Sequence, residues 1–155
     1  MSLESELGEI RVTALEIGQW IGVQKDTTVA DTVGRMRDEK TNCALIQDGK
    51  KLVGIFTDHD VFTKVLGQAD TWQKPVSEIM TANPKTVSRD SGAAAALEVM
   101  DGNRIRNVPI VDANGEVVGN IDQQSFVRYL SDRFHMHVYN QPPEPDQYAR
   151  TRHGA

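Results

Sequence analysis

Thr57 and Asp60 stand three residues apart in GIFTDHD (54–60), where an apolar strand pattern runs into a polar helix start. A hydroxyl and a carboxylate at that spacing support two kinds of chemistry. One is structural: the hydroxyl accepts a backbone N–H at the helix start, and the carboxylate reaches back to the capping residue's own amide. The other is recognition. A ribose offers two neighbouring hydroxyl donors, and an ionised carboxylate, which only accepts, can take both. The free N–H groups of a helix start favour an anion, which would set Thr57 beside a phosphate. Arg106 adds a forked cationic donor suited to phosphate oxygens, although Arg104 and Arg106 also read as the solvated edge of the strand that follows. Thr28 and Asp31 repeat the Thr-x-x-Asp spacing earlier in the chain, which favours capping as the simpler duty.

The remaining reactive side chains offer less. Cys43 opens a strand pattern, with no His or Asn constellation to activate it, and reads as a small buried hydrophobe. His135 and His137 would share one face of a strand, but two ligands do not make a metal site. Trp20 and Trp72 lie at segment boundaries and read as packing between units or at a dimer face, ahead of adenine-stacking platforms. No Walker loop, nucleophile elbow or metal-ligand set is present, so the chain is expected not to be an enzyme.

At 155 residues, with 39% hydrophobic and 25% charged residues, the composition is that of a globular protein. A net charge of −5 argues against a duplex-binding surface, so no nucleic-acid partner is expected. No apolar stretch reaches the roughly 18–20 residues that span a bilayer, and the N-terminus lacks the pattern of a signal peptide. With a single cysteine and no membrane segment, the expected location is cytoplasmic.

The elements that must position Thr57 and Asp60 occur twice. Shifted by 64 residues, 26–48 falls on 90–112, matching Asp26 with Asp90, Met36 with Met100 and Ile46 with Ile110. One extra residue in the second turn moves the offset to 65, and Val53 and Gly54 then match Val118 and Gly119. Each copy reads strand, helix, hairpin, helix, with Asp48-Gly49 and Asn114-Gly115 as turn dipeptides. A lone copy of about 60 residues buries too little surface to be comfortable, so the copies are expected to pack together. The expected fold is α/β (α+β), with two repeats of strand-helix-strand-strand-helix related by a pseudo-two-fold axis. The boundaries are a leader (1–11), repeat 1 (12–68), a linker (69–75), repeat 2 (76–134) and a polar, proline-containing tail (135–155). Closing helices are expected over 58–68 and 123–134, and a short amphipathic helix over 76–80.

Over roughly residues 12–134 this pattern resembles a tandem pair of CBS domains, a Bateman module. The resemblance rests on the repeat, on SEIMTANPKTVSRD, on IRNVPIVDANGEVVG and above all on GIFTDHD, which fits the family's G-h-x-[T/S]-x-x-[D/N] motif. It implies a sensor for an adenosine ligand such as AMP, ADP or ATP, with S-adenosylmethionine or NAD as further candidates. It assigns Asp60 to the ribose, Thr57 to phosphate or ribose and Ile55 to the wall. Pro84, Lys85, Thr86 and Val87 would surround the base, with Arg106 and Asn107 near the mouth. His59 stands where family members often carry Arg. A neutral imidazole has one N–H donor, so its pull on a polyphosphate is weaker and grows on protonation.

In the second copy the aligned stretch is GNIDQQS (119–125), with Asp122 and Ser125 in place of Thr57 and Asp60. Asp122 still caps a helix, but the acceptor carboxylate is gone and a negative charge faces any phosphate. One live cleft and one dead or altered cleft are therefore expected. The resemblance also implies a homodimer, with the run Ala93–Ala96 and the two closing helices as its surface, and an enzyme or transporter as the regulated target. Two rivals stand beside this reading: a ligand-free dimerisation scaffold, and a fragment of a longer enzyme.

Overall fold

The computed structural model describes residues 2–139. Residues 140–155, most of the polar tail, lie outside the described residues. The chain opens with α1 (Leu3–Glu9), capped by the Ser2 hydroxyl. In the first repeat β1 (Ile21–Gln24) leads to α2 (Val29–Asp38), where Thr28 Oγ1 accepts the Asp31 N–H at 3.1 Å. The hairpin β2 (Cys43–Asp48) and β3 (Lys51–Thr57) turns through Gly49, whose φ of 64° a side chain would resist. Gln24 braces that turn, donating to Gly49 O at 2.9 Å and accepting its N–H at 3.1 Å.

The closing helix of this repeat is shorter than its sequence suggests. α3 (Asp58–Asp60) gives way to a wide π-helical turn over Val61–Val65, closed by the Leu66 N–H on Val61 O at 3.0 Å. Thr63 lies in that turn and its hydroxyl donates to His59 O at 2.9 Å, a back-bond that competes with the helical ladder. β-Branched Val61, Thr63 and Val65 add to the cost of a regular helix.

After short 3₁₀ turns at Ala69–Gln73 and Val76–Glu78 come β4 (Thr81–Ala82) and β5 (Val87–Ser88). The second repeat continues with α4 (Ala93–Asn103), β6 (Asn107–Val111), β7 (Val117–Asp122) and α5 (Gln123–Tyr139). α5 outruns the expected 123–134, and because its backbone is helical through 139, the strand spacing suggested for His135 and His137 does not hold. Among the described residues no group of three metal-capable side chains is found, and no helix is long and apolar enough to cross a membrane.

Two sheets result, ordered β1-β2-β3-β4 and β5-β6-β7. In each, a parallel pair (β1 with β2, β5 with β6) adjoins the antiparallel hairpin. Both hairpins break register at the matched place, between Ile46 and Gln47 and between Ile110 and Val111. Pairs of bonds across the molecule are images of each other under the 64- or 65-residue offset. Leu52 N–H donates to Gly115 O (3.2 Å) and Val117 N–H to Lys50 O (3.4 Å). Likewise Val76 N–H donates to Thr27 O (2.7 Å) and Val12 N–H to Ser91 O (2.8 Å).

The first pair of bonds joins the two hairpins, and the second docks the opening segment of each repeat onto the other repeat. Val76 is buried among Val29, Met36, Ala44, Ile46 and Phe56, whereas Leu7, Val12 and Leu15 are buried with Ala93, Ala96, Met100, Val108, Ile110 and Ile121. Burying each of the Val, Leu, Ile, Met and Phe side chains among these is worth about 1.5–3 kcal/mol. The alanine run expected at a dimer face is thereby used inside the chain: Ala93 and Ala96 are core, and a Cβ at Gly92 would sit 2.7 Å from Gly8 O of α1.

Candidate functional site

Three stretches meet at a cleft of about 630 Å³: the end of β3 into α3, the connection from β4 towards β5, and the turn from α4 into β6. Gly54 makes the first wall possible. β4 pairs with β3 at Gly54 and Ile55, and a Cβ on Gly54 would overlap the Met80 thioether. α4 ends on Arg104 with φ 53°, a left-handed conformation costly for a residue with a Cβ, and this turn carries Arg104 and Arg106 to the cleft.

Of the ten residues expected at the site, Ile55, Thr57, His59, Asp60, Pro84, Lys85, Arg106 and Asn107 line the cleft. Thr86 and Val87 are not among its lining residues. Thr86 is exposed, and Val87, 5% exposed, points into the second core from β5, where it pairs with Ile110. Arg104 joins the lining, as do Asn42, Asp58, Thr81, Asn83, Asn103 and Ile105, which the sequence reading missed. A signal for Asn42 was available: the 64-residue offset makes it the counterpart of Arg106. Trp20 and Trp72 do not line the cleft, and Trp72 packs on the first core.

Asp60 answers to both readings of its motif. Its side chain is 7% exposed. Oδ2 accepts the Thr57 N–H at 2.9 Å, so the carboxylate does reach back to the cap, and Oδ1 lies 2.9 Å from Lys64 Nζ. A carboxylate has about four lone-pair sites, so acceptor capacity remains on a residue that also borders the cleft. The backbone N–H groups at this helix start are less free than a helix terminus suggests. Thr57 N–H serves Asp60, Asp58 N–H donates to Asn42 O (3.1 Å), and His59 N–H donates to Asp58 Oδ1 (2.8 Å). An anion here must therefore rely on side chains, and Lys85, Arg104 and Arg106 are all exposed at the cleft.

The corresponding place in the second repeat is built differently. Asp122 Oδ1 accepts the Ser125 N–H (2.8 Å) and the Ser125 hydroxyl (3.1 Å), and Ser125 is fully buried. Arg128 lies 3.0 Å from Glu16 and 3.9 Å from Asp122. Gly18 N–H donates to Asn120 O at 2.9 Å, and a Cβ on Gly18 would overlap the Asp122 carboxylate. The segment 16–18 thus lies directly on the cap. Cys43, the counterpart of Asn107, is fully buried, and burial followed by the charges of Asp122, Asp58 and Asp60 pushes its thiol up to about 12. A thiol held neutral in this way is a poor nucleophile.

Two packed α/β repeats with a cleft at the T-x-x-D motif define a CBS pair. The family model described as CBS domain matches residues 19–67 and 76–132, and the chain belongs to that family. CBS domain-containing protein CBSCBSPB3 of Arabidopsis thaliana is 37% identical over 117 residues, covering 74% of this chain and 21% of that protein. Arabinose 5-phosphate isomerase KdsD of Francisella tularensis is 28% identical over 72% of this chain and 34% of that protein. The chain thus spans about a fifth of the length of the Arabidopsis relatives it matches. Among solved structures, the CBS domain pair of MJ0100, in complex with 5′-methylthioadenosine and S-adenosyl-L-methionine, has a TM-score of 0.70 and 27% identity, covering 79% of this chain and 97% of that one. CBS domain protein PAE2072 of Pyrobaculum aerophilum, complexed with AMP, has a TM-score of 0.72 at 20% identity, a likeness of fold, over 83% of this chain and 99% of that one.

Proposed function

We propose that the chain is a regulatory module that binds an adenosine ligand in the first cleft and performs no catalysis of its own. The observation that carries this reading is the meeting of Thr57 and Asp60 with Lys85, Arg104 and Arg106 around one 630 Å³ cleft. That volume falls within the roughly 300–1,000 Å³ of small-molecule sites. Asp60 would receive the ribose hydroxyls on its remaining lone pairs, the three cations would face the phosphates, and Ile55 and Pro84 would supply apolar wall. His59 would add to the anion attraction when protonated. The complex of MJ0100 with adenosine compounds supports this class of ligand. AMP, ADP and ATP fit the cations better than S-adenosylmethionine, which carries no phosphate; NAD is a further candidate.

Isothermal titration with all five compounds tests the reading. Binding of a phosphorylated member that is lost in Asp60→Ala is expected, whereas silence from the whole panel would remove it.

The module would act as a cytoplasmic homodimer on an enzyme or transporter. Phe62, 71% exposed, and Leu66 on the first closing turn, with Val127 and Leu130 on α5, offer the apolar surface for pairing. A second reading, a scaffold with empty clefts, is favoured by the hold that Thr57 and Lys64 already have on Asp60. It predicts a dimer by light scattering and no thermal upshift with ligand, against about 2.7 kcal/mol of stabilisation at 100 times Kd.

A further inference from the structure

Lys64 belongs to no motif of the sequence, yet its ammonium group joins three elements. Nζ lies 2.9 Å from Asp60 Oδ1, donates to Ile79 O at 3.1 Å and stands 3.5 Å from Thr81 Oγ1. Thr81 opens β4 and lines the same cleft as Asp60, and Ile79 packs against the first core. The lysine therefore spans from the motif's helix to the strand that walls the cleft. Its partner is nearly buried, with 7% of the Asp60 side chain exposed against 40% for Lys64. A buried carboxylate needs a counter-charge and hydrogen bonds to stay in place.

With Oδ2 on the Thr57 N–H and Oδ1 on Lys64, the carboxylate plane is held at both ends. Rotation about its last torsion would break one of the two bonds. The lone pairs left over then have one fixed direction. The second repeat has a cationic strut of its own, in which Arg128 joins Glu16 and Asp122. Under the 64-residue offset that sets Val12 on Val76, Glu16 falls on Met80, the neighbour of Thr81, so each repeat ties its closing helix to the segment laid over it.

We propose that Lys64 is a positioning residue of the ligand cleft, one that aims the Asp60 carboxylate at a ribose diol and fixes the β4 wall against it. This rests on the adenosine reading given above. The readout is the preference for AMP over 2′-deoxy-AMP, which reports how well a carboxylate meets both hydroxyls and which a mere loss of stability would not move.

In the wild type, loss of one hydroxyl bound to a charged acceptor is expected to weaken binding about 10-fold. Lys64→Met keeps the apolar stem and removes the charge; its AMP affinity should fall about 10-fold and its preference should shrink towards one. Lys64→Arg should retain most of the preference, and Lys64→Gln should behave as Lys64→Met with a gentler change in polarity. A folded Lys64→Met or Lys64→Gln protein that keeps the wild-type preference, while Asp60→Ala has lost it, would overturn the role of Lys64 and leave the nucleotide reading intact. A wild type that binds neither of these nor any other compound of the five-member panel would overturn both.

Discussion

Asp60 and Asp122 complete caps of the same three-residue spacing from opposite ends, and the surroundings of the two caps diverge. In the first repeat the acid comes last, beside an open cleft with Lys85, Arg104 and Arg106 at its border. In the second the acid comes first, spends one oxygen on both the N–H and the hydroxyl of Ser125, and has Gly18 packed upon it. The capping duty is kept in both. What differs is what faces each carboxylate: a cleft bordered by three cations beside Asp60, and the segment 16–18 with Arg128 beside Asp122, although the Asp122 side chain is the more exposed at 22% against 7%. That difference separates a fold-preserving residue from a candidate binding residue even when their hydrogen-bonding skeletons agree.

The largest effect expected from breaking this comparison is on ligand affinity. Asp60→Ala should weaken AMP binding about 10- to 100-fold, the loss of a charge-assisted acceptor, whereas Ser125→Ala should leave it within about two-fold and cost only about 1 kcal/mol of stability as a lost cap. Titration calorimetry and denaturant melts on the two variants check both. Equal loss of affinity in both would contradict the asymmetry.

The matched glycines come next. Gly54→Ala forces a Cβ into Met80 and should destabilise by about 1–3 kcal/mol. Gly119→Ala meets Ile17 methyls at 3.2 Å and should cost less. Met80→Ala in the Gly54→Ala background should recover part of the loss, read as the denaturation midpoint.

A smaller effect separates Cys43 from its counterpart Asn107. Burial, with help from Asp122, Asp58 and Asp60, raises the thiol from 9.0 to about 12. As pH climbs past 9.0 the unfolded chain releases this proton first, so stability falls from there and levels off once the folded thiol also ionises. At pH 10 the loss is on the order of 1 kcal/mol, a difference that Cys43→Ala should abolish in paired urea melts at pH 8 and pH 10. The smallest change is expected of the double variant Asp122→Thr, Ser125→Asp. It restores the motif in the second repeat, but segment 16–18 still covers it, so equilibrium dialysis should show no added AMP site.

Much of this was legible in the sequence because it follows local rules. Thr28 caps α2, Gly49 and Gly115 take positive φ in the hairpin turns, and the 64-residue offset carries Met36 onto Met100 as buried equivalents. Eight of the cleft residues followed from the motif and the partner repeat. What stayed hidden depends on contacts between distant segments. That α1 and Val12 pack on the second repeat is set by backbone bonds from Val12 to Ser91 and from Ala93 to Ile10. Val87 turned inward because β5 must pair with β6, a constraint that four residues of PKTV do not carry. The π-helical turn arises from a hydroxyl back-bond at Thr63 that no apolar periodicity signals.

The central claim is that one cleft binds and its twin does not. Native mass spectrometry of the protein titrated with AMP counts ligands per chain directly. One AMP per chain in the wild type and in Ser125→Ala, with none in Asp60→Ala at the same concentration, is the predicted result. Two per chain in the wild type, or an unchanged count in Asp60→Ala, would contradict it.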